Sequence, residues 1–455
     1  MPEETVERLK SLLEDRRFSA IFDELREMHA EDIALLFEEL EIGDTIKLFR
    51  LLPKALAADT FVEMPSDRQQ ALIEAFSDRE LKAVLEEMFV DDTVDIIEEM
   101  PANVVRRIIK QSDAEMRADI NQILKFPSDS AGSIMTTEYV DLRRTMTAAE
   151  CFERIRRVGP DKETIYTCYV IDRDRHLEGV VSVQQMLLAS PDTPVEELMD
   201  ENVISVNTLE DREEAANRLN KYGFMALPVV DNERRLVGIV TFDDALDVLQ
   251  EEATEDIEKM AAILPTDKPY LKTGIFETFR KRIPWLLLLM VSATFTGSII
   301  SSFEARLAGY AALVAFIPML MDTGGNAGGQ SSVTVIRGLA LGEIEFSDFF
   351  RVVFRELRVS LLCGVVLAAC NFLKIWLIDR MLLGNAAITL TVDLVVCLTL
   401  VVAVVTAKLI GCILPMAAKK IGFDPAVMAS PFITTIVDAL TLLVYFGVAQ
   451  AILRI

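Results

Sequence analysis

Asp438 is the residue whose type and position point most directly to chemistry. It lies in the apolar segment PFITTIVDALTLLVYFGVAQAIL, residues 431–453, which contains no other Asp or Glu and no Lys, Arg or His. A carboxylate exposed to lipid costs at least about 2.5 kcal/mol, so this side chain should face a watery cavity or a cation. A helical rise of about 1.5 Å per residue puts it about 10 Å from Pro431. The position predicts a cation site within the membrane.

Two copies of Asp438 would make a better ion site than one. A two-fold homodimer would place both carboxylates around a common axis. Mg2+ gives up its water reluctantly and is usually held by one or two carboxylates with several waters retained. A pair of Asp438 side chains therefore suits a largely hydrated Mg2+ ion.

A glycine-rich polar segment interrupts the second apolar stretch of the chain. Residues 318–332 read PMLMDTGGNAGGQSS, with four glycines, an Asn and a Gln at membrane depth. Such a backbone is tolerated there only where it packs against protein or lines a water-filled path. Close helix packing explains the glycines, whereas the amides and hydroxyls favour a pore wall. The candidates for lining a pore are Asn326, Gln330, Ser331, Thr434 and Thr435.

Residues 243–262, DDALDVLQEEATEDIEKMAA, are predicted to form one continuous and strongly acidic helix. Asp247, Glu251 and Glu255 follow i, i+4 spacing and stack on one face, where like charges destabilise the helix. Divalent cations would offset this repulsion, because one ion can bridge two carboxylates. A solvated connector is the other interpretation of this segment.

Two similar copies of a strand and helix pattern occupy residues 131–250. TIYTCYVIDRDRHLEGVVSVQQML and GFMALPVVDNERRLVGIVTFDDAL share an apolar strand, a D-x-(D/E/N)-R turn, a β-branched strand, a hydroxyl residue and a helix. They resemble a tandem cystathionine-β-synthase (CBS) domain, an α/β module that commonly senses adenine nucleotides or other small ligands.

The CBS resemblance implies at most one complete nucleotide cleft. In that family the hydroxyl residue and an Asp three residues later often hold a ribose. The second copy keeps both as Thr241 and Asp244, whereas the first has Ser182 and Gln185. ATP binding and a purely structural use of the pair are both left open.

Residues 1–130 are predicted to form an acidic α-helical domain built from short repeated units. Successive unit starts are 11 to 13 residues apart, which fits short helices with Asp caps and tight turns stacked into a superhelix. Such an array is by itself a scaffold. The unit starts are Asp32, Asp44, Ala55, Asp67, Asp78, Asp91 and Ala102.

Charge is divided sharply between the two halves of the chain. Residues 1–270 carry 31 Lys and Arg against 60 Asp and Glu, a net charge of −29, whereas residues 271–455 carry 15 against 11. This negative net charge disfavours nucleic acid as a partner and favours the binding of cations, although an ordinary solvated acidic surface is the alternative.

The six cysteines form no C-x-x-C pair, and His29 and His176 are isolated and give no metal-ligand pattern.

Residues 271–455 are predicted to form an all-α transmembrane domain of five helices. Apolar stretches long enough to cross about 30 Å of hydrocarbon lie near 283–301, 308–336, 359–378, 386–414 and 431–453. Nine flanking Lys and Arg fall on one side and three on the other. The positive-inside rule then predicts a multi-pass protein of the cell membrane, with cytosolic N-terminal domains and an outer C-terminus. The N-terminus has no apolar h-region, so insertion is expected through these internal spans.

The order of these parts is similar to that of MgtE magnesium channels over nearly the whole chain. PMLMDTGGNAGGQSS together with SPFITTIVDAL looks like that family's pore signature. The resemblance implies a homodimeric Mg2+-selective channel for magnesium uptake, not an enzyme, with Asp438 as the Mg2+ site of the pore. It also implies that residues 251–270 form a plug helix at the cytosolic mouth, and that cytosolic Mg2+ closes the channel.

The same resemblance implies sensor roles for acidic residues in the cytosolic part. Gly223 stands where a further sensor Asp is expected, so one bridging site should be weaker or rearranged. The residues that match sensor acids are Asp91 and Asp95 in the first domain, Glu213 in the second CBS copy, and Asp244, Asp247, Glu252, Glu255 and Asp256 along the connecting helix.

Two other functions fit parts of the sequence. An anion channel or solute carrier regulated by CBS domains is disfavoured by the intramembrane Asp and by the lack of a pore-placed Arg. A membrane-embedded enzyme would need a nucleophile or a cluster of metal ligands, yet the spans contain no His, H-E-x-x-H or P-loop.

The sequence leaves open the selectivity among Mg2+, Co2+, Ni2+ and Mn2+. It also leaves open whether Asp393 attracts cations at the entrance or is an interfacial surface residue.

Overall fold

The computed structural model describes residues 3–266, 270–271, 273–307, 310–384, 388–428 and 430–453. They divide into two compact units, Met1–Gln250 and Glu251–Ile455, and each unit has its own apolar core. The first unit holds an array of short helices and two small sheets, and the second holds the long apolar helices.

The first unit begins with an array of short helices. They are α1 (Glu3–Glu14), α2 (Phe18–Leu25), α3 (Ala30–Glu38), α4 (Ile42–Phe49), α5 (Lys54–Val62), α6 (Ser66–Ala75), α7 (Asp78–Leu85), α8 (Val90–Glu99), α9 (Ala102–Gln111) and α10 (Ala114–Ile123). Helix α5 packs on α3 and α7, and α6 packs on α4, so alternate helices stack. Because such short helices are marginal alone, burial of one face against neighbours stabilises them. Phe49 lies at the centre, with ring centroids 5.3 Å from Phe76 and 6.1 Å from Phe61.

The seven unit starts predicted from the sequence fall within two residues of the observed starts of α3 to α9. The proposed capping role of the Asp residues is wrong, however. Asp32, Asp44 and Asp67 lie inside the first turns of their helices, and the N-cap positions before them are His29, Glu41 and Pro65, none of which makes a side-chain capping bond. The aspartates therefore act on the positive end of the helix dipole rather than as caps.

The second part of the first unit contains two three-stranded sheets with the same topology. The strands are β1 (Asp141–Leu142), β2 (Thr167–Ile171), β3 (Leu177–Ser182), β4 (Val206–Asn207), β5 (Ala226–Val230) and β6 (Leu236–Thr241). In each sheet the first two strands are parallel, and the second and third are antiparallel. The helices are α11 (Ala148–Val158), α12 (Val183–Leu188), α13 (Val195–Leu198), α14 (Arg212–Tyr222) and α15 (Phe242–Met260).

The two sheets join through the turns that carry the repeated D-x-(D/E/N)-R motif. Arg175 and Arg234 both have a positive φ, of 69° and 62°. The amide of Leu177 donates to the carbonyl of Arg234 at 3.1 Å, and the amide of Leu236 donates to the carbonyl of Arg175 at 2.9 Å. The repeated turn therefore makes a reciprocal contact between the copies, as expected for a paired module.

The second unit is built from long helices. They are α16 (Ile275–Leu307), α17 (Ala311–Val314), α18 (Ile317–Ala340), α19 (Phe349–Lys374), which continues as the π-helical turn Ile375–Leu382, α20 (Leu390–Lys420) and α21 (Ser430–Leu453). Among the described residues, four helical stretches are long and apolar enough to cross a membrane: Ile275–Phe303, Phe346–Leu382, Leu390–Lys420 and Pro425–Leu453. The starts of the predicted second and fourth spans, residues 308 and 386, lie outside the described residues.

Helix α18 corresponds to the predicted second span and is not among these four stretches. It packs along α20 and α21, and α20 also packs along α19. Its glycines are buried together with Ser331 and Ser332, whereas its polar residues Asp322, Asn326 and Gln330 are exposed. A count of five spans stays a prediction, because apolarity alone does not identify a central helix that is covered by its neighbours.

Candidate ion pathway and cation sensor

Asp438 lies where α21 packs against the glycines of α18. A Cβ atom at Gly325 would lie 2.9 Å from Thr434 Cγ2 and 3.8 Å from Asp438 Oδ1. A Cβ atom at Gly324 would lie 2.8 Å from Thr441 Oγ1. The glycines therefore let two helix backbones approach closely around the carboxylate, and close packing explains this part of the signature.

Asp438 is partly exposed and lies within electrostatic range of another carboxylate. Within the described residues it has no hydrogen-bond or basic partner, and Asp322 on α18 lies near enough to act on it electrostatically. Two carboxylates that approach each other in an apolar helical unit favour a cation beside them. Sequence reasoning named Asp438 but did not single out Asp322, although it belongs to the quoted signature.

Hydroxyl groups border Asp438 on the same helix. Thr434 and Thr435 donate to the carbonyl of Pro431 at 2.9 and 3.2 Å, which leaves oxygen lone pairs to accept bonds from water. On α18, Ser332 donates to the carbonyl of Met428 at 3.0 Å and ties this helix to the segment before α21. This arrangement suits a partly hydrated ion.

The other predicted pore-lining residues lie in a cleft between α18, α19 and α20. Asn326 and Gln330 line two adjoining cavities of about 660 and 600 Å3. Lys408 of α20 lines both cavities as well and is only 6% exposed. Ser331 donates to the Glu356 carboxylate of α19 at the wall of the larger one. Lys408 was missed by sequence reasoning, although it is the lone cation of the apolar stretch 386–414.

In the first unit, acidic residues from both of its parts come together. Asp91, Glu138 and Glu163 each offer a carboxylate oxygen, and these three atoms lie within 4.8 Å of one another. Asp91 is 7% exposed, and Glu163 has a buried oxygen with no hydrogen-bond partner in the described part of the chain. The Asp244 carboxylate lies beside Asp91 and accepts from Thr241 Oγ1 at 2.5 Å.

The proximity of these carboxylates disfavours their ionisation. Burial and then the charge of Asp244 raise the pKa of Asp91 well above its ordinary range. Burial, followed by neighbouring carboxylates, raises the pKa of Asp92 to about 7 and that of Glu163 to about 8. Burial raises the pKa of Asp244 to about 6. A divalent cation would stabilise the ionised cluster by replacing the protons.

The sequence identified two members of this cluster, Asp91 and Asp244, and missed the rest. Asp92, Glu138 and Glu163 are brought in by folding: Glu138 precedes β1 and Glu163 precedes β2. Glu138 also accepts from the amide of Val90 at 3.1 Å, which fixes the loop against the start of α8. Residues this far apart in sequence carry no local signal that they meet.

Other predicted sensor residues of the first unit lie outside that group. Asp95 is exposed one turn along α8, and Glu213 lies in the first turn of α14, where it accepts from Asn217. Asp247 is largely exposed, and the partial burial of its carboxyl, followed by the charge of Asp243, raises its pKa. The pKa of Glu63 is raised by burial, then by Glu31 and then by Asp247.

Gly223 has a structural explanation, because it ends α14 with a φ of 66°. Glycine is the residue that adopts this left-handed conformation without strain.

His176 is not isolated, contrary to the prediction. Its Nδ1 atom lies 2.9 Å from Asp172 Oδ2, and Asp174 completes a group whose ligand atoms lie within 4.8 Å of one another. Asp172 also accepts the amides of Asp174 and His176, so this group closes the turn between β2 and β3.

The end of α15 belongs to the second unit and contacts the helices there. Lys259 lies 2.5 Å from Glu255 and 2.7 Å from Asp424, in the segment before α21. Burial lowers the pKa of Lys259, but the bonds to these two carboxylates outweigh it and raise the pKa overall. Burial and Asp424 raise the pKa of Asp256. Met260 packs against Ile336 of α18. Glu252 lies on α15 one helical turn before Asp256.

Comparison with known proteins matches the chain along its whole length. The family model described as a divalent cation transporter, MgtE, matches residues 317–448, the MgtE intracellular N domain matches 28–129, and the CBS domain matches 131–192 and 195–251. The magnesium transporter MgtE of Thermus thermophilus is 36% identical, with 100% of both chains covered. This chain belongs to the MgtE family. MgtE of Bacillus subtilis is 33% identical over 99% of this chain and 98% of its own.

Two solved structures are similar to the first half of the chain. The crystal structure of the cytosolic domain of the Mg2+ channel MgtE in complex with ATP is 37% identical, with a TM-score of 0.51, and covers 53% of this chain and 99% of its own. The soluble part of a magnesium transporter is 28% identical, with a TM-score of 0.52, and covers 55% and 99%.

The MgtE assignment confirms the predicted fold class: a helical N-terminal domain, a tandem CBS domain and an apolar helical membrane domain. It also confirms the prediction of a transporter for magnesium rather than an enzyme, because the family is one of divalent cation transporters. The anion-channel and enzyme interpretations are therefore excluded.

Proposed function

We propose that this MgtE protein is a homodimeric channel that takes up Mg2+ across the cell membrane and closes when cytosolic Mg2+ is abundant. The observation that carries the proposal is the site of Asp438, a carboxylate without a basic partner in the described residues, which lies against Gly325 of α18 and within electrostatic range of Asp322. A cation is the ligand that such a pair requires in a membrane.

Selectivity follows from how Mg2+ keeps its water. Two Asp438 carboxylates on a two-fold axis can hold a largely hydrated ion, and the hydroxyls of Thr434 and Thr435 can accept bonds from its waters. We assign the pore to this face of α18. Pore lining by Asn326, Gln330 and Ser331 stays a prediction, because they lie in or beside the cleft that contains Lys408.

The acidic cluster of the first unit is proposed to sense Mg2+. Burial and mutual proximity make it unfavourable for Asp91, Asp244 and Glu163 to be ionised together without a compensating charge. Bound Mg2+ would hold the helical array against the second CBS copy. Without the ion, the carboxylates of Asp91 and Asp244 would repel each other. We extend the sensor role to Asp95, Glu213 and Asp247, whose acidic side chains lie on the same unit.

The end of α15 is proposed to act as the plug. Its contacts support this role: Lys259 binds Asp424 just before the pore helix α21, and Met260 packs on α18. Glu252, Glu255 and Asp256 lie on this segment and would bind further ions. Closing a mostly open gate needs about 5.5 kcal/mol of differential binding, which several weak sites can supply together.

ATP binding remains a prediction for this chain. Thr241 and Asp244 are bonded in the second copy, where a ribose would be held, but Asp244 also belongs to the acidic cluster. In the first copy, Gln185 accepts from the amide and hydroxyl of Ser182 in a capping box and closes that position. An outer C-terminus and the domain boundaries at residues 130, 250 and 270 are likewise proposals.

Patch-clamp recording of the reconstituted full chain tests the proposed function. Wild-type Mg2+ current should fall as cytosolic Mg2+ rises from micromolar to about 10 mM, and Asp438→Ala should abolish the current because the pore loses its charge. Asp379→Asn is the matched control, since that carboxylate pairs with Lys374 at the end of α19.

Each result has one meaning. Full current in Asp438→Ala would sink the pore assignment, and loss of current in Asp379→Asn as well would show a general effect of removing an acid. Wild-type current that is indifferent to cytosolic Mg2+ would remove the sensor from the proposal.

A further inference from the structure

Lys408 is a buried ammonium that no established part of the protein uses. It is 6% exposed, yet within the described residues it has no hydrogen bond or ion pair. Its side chain lines both cavities of the cleft between α18, α19 and α20. A buried cation without a counter-charge is unfavourable in a membrane, so an anionic group should meet it there.

A carboxylate lies in the wall of the same cavity. Glu356 of α19 accepts from Ser331, and one acceptor oxygen remains for a cationic donor. Asn326, Gln330 and Thr334 add amide and hydroxyl groups to this end. The polar end of the cleft thus offers one positive and one negative side chain, which complements a ligand that carries both an anion and an amine.

The adjoining cavity is mostly apolar. Leu362, Val366, Leu367 and Val404 line it, Asp322 borders it, and it joins the polar cavity at Lys408. Leu362 and Val366 are largely exposed, so the cleft opens sideways on the apolar surface of the unit. A polar end and an apolar end in one open cleft match an amphipathic molecule with a hydrocarbon chain.

Depth along α19 matches the dimensions of a lipid. Glu356 lies between Arg355 and Arg358, which mark the cytosolic interface in the orientation proposed above. Leu362 and Val366 lie about 9 and 15 Å further along the helix at about 1.5 Å per residue. The charged end therefore lies at headgroup level and the apolar end within the hydrocarbon.

We propose that this cleft binds one phospholipid with an amine-bearing headgroup, whose phosphate meets Lys408 and whose ammonium meets Glu356. Basic pockets between transmembrane helices at the cytosolic side are suited to lipid phosphates. A path for Mg2+ is disfavoured here, because Lys408 would repel the ion. The cleft shares Asp322 with the proposed ion site but does not contain Asp438. The lipid site uses the membrane orientation proposed above, and lipid binding is measured separately from Mg2+ current.

Native mass spectrometry of the delipidated full chain, titrated with phosphatidylethanolamine, phosphatidylglycerol or inorganic phosphate, tests the site. Lys408→Met should weaken the first phosphatidylethanolamine binding event by about tenfold or more, the scale of one charge-assisted hydrogen bond. Glu356→Gln should abolish the preference for phosphatidylethanolamine over phosphatidylglycerol. Leu362→Trp should fill the apolar end and weaken both lipids while leaving the charges in place.

Arg355→Met is the matched control, because it removes an exposed cation next to Glu356 that does not line the cleft. It should leave the first binding event unchanged. Equal lipid affinity in wild type, Lys408→Met and Leu362→Trp would overturn the proposal, as would equal weakening by Arg355→Met. Inorganic phosphate that binds as tightly as the lipid would instead show a free-anion site. Mg2+ current that rises in Lys408→Met while lipid binding is unchanged would assign the cleft to the ion path.

Discussion

At the scale of single residues, carboxylates lie close to other carboxylates in both units, and such groups favour a bound cation. Asp438 and Asp322 are like charges in the second unit, and Asp91 and Asp244 are like charges in the first. In each place folding brings the carboxylates together without a basic residue between them in the described part of the chain. In the proposed channel, a divalent cation bound at these places would offset the free energy that this costs and would couple cation binding to conformation.

Mg2+ should stabilise the first unit more at high pH than at low pH. Acids with raised pKa values hold protons that the unfolded chain releases. The stability of the Mg2+-free unit is therefore greatest near pH 4 and falls as pH rises through about 6 to 8, the raised pKa values of Asp244, Asp92 and Glu163. Thermal unfolding of the full chain should show a Mg2+-induced shift of several degrees at about pH 8.5 and little at about pH 5.5.

The variant Asp92→Asn with Glu163→Gln is the test of the cause. It removes two of the groups that titrate in that range and leaves Asp91 and Asp244, so the unfolding temperature without Mg2+ should fall less between about pH 5.5 and about pH 8.5 than in wild type. Glu196→Gln, on the exposed surface of α13, should behave as wild type. A Mg2+-induced shift of the same size at both pH values would contradict this account.

Sequence alone can identify a candidate site residue when its type differs from that of its neighbours in the chain. Asp438 stands out because every neighbour in its span is apolar, and α15 stands out because its acids repeat along one helix. Glu138 and Glu163 look like ordinary loop acids, and only packing against α8 makes them members of a cluster. Lys408 was as anomalous as Asp438 and could have been found by the same argument.

At the scale of elements, α18 carries the contacts that define the candidate pore. Gly324, Gly325 and Gly328 allow α21 to approach, and Ala407 of α20 lies against Gly328. A helix that is rich in glycine is weak by propensity, so its stability must come from the helices packed on it. This is why its sequence reads as an interrupted span although the structure has a continuous helix.

Gly325→Ala should destabilise the membrane unit and reduce Mg2+ current. The new Cβ atom would lie 2.9 Å from Thr434 Cγ2, which is too close for contact. Either the Thr434 side chain rotates or α21 shifts, and both changes disturb the surroundings of Asp438. The expected loss of stability is about 1–3 kcal/mol. Thermal unfolding in detergent and Mg2+ flux into liposomes measure the two effects.

Gly297→Ala is the matched substitution on α16, where a Cβ atom meets nothing within 4 Å. It should leave flux unchanged and stabilise the helix by about 0.5–1 kcal/mol. Unchanged stability and flux in Gly325→Ala would show that the close approach of α18 and α21 is not needed.

Element starts were predictable where a periodic pattern sets them. The 11- to 13-residue repeat located α3 to α9. The capping aspartates were misplaced because acidic residues favour both the N-cap and the first turn, and sequence does not separate these positions. Span limits were less predictable, since α20 extends to Lys420, beyond the predicted end at residue 414.

At the scale of the whole molecule, charge and hydropathy separate two tasks along one chain. Residues 1–270 carry a net charge of −29 and hold the proposed sensor, whereas the apolar helices hold the proposed pore. Helix α15 links them in sequence, because it begins in the first unit and ends in the second. We propose that this helix transmits a change in the acidic cluster to the segment before α21.

Lys259→Met should make the channel harder to close. Lys259 joins Glu255 at 2.5 Å and Asp424 at 2.7 Å, so its loss removes the tie between α15 and the segment before α21 and leaves carboxylates facing each other. The cytosolic Mg2+ concentration for half-closure should rise by about tenfold, the scale of one charged hydrogen bond. Lys420→Met is the control, because that ammonium lies over the ring of Phe346 instead. Patch-clamp recording that finds the same half-closing concentration in Lys259→Met and wild type, or an equal rise in Lys420→Met, would exclude this contact from the gate.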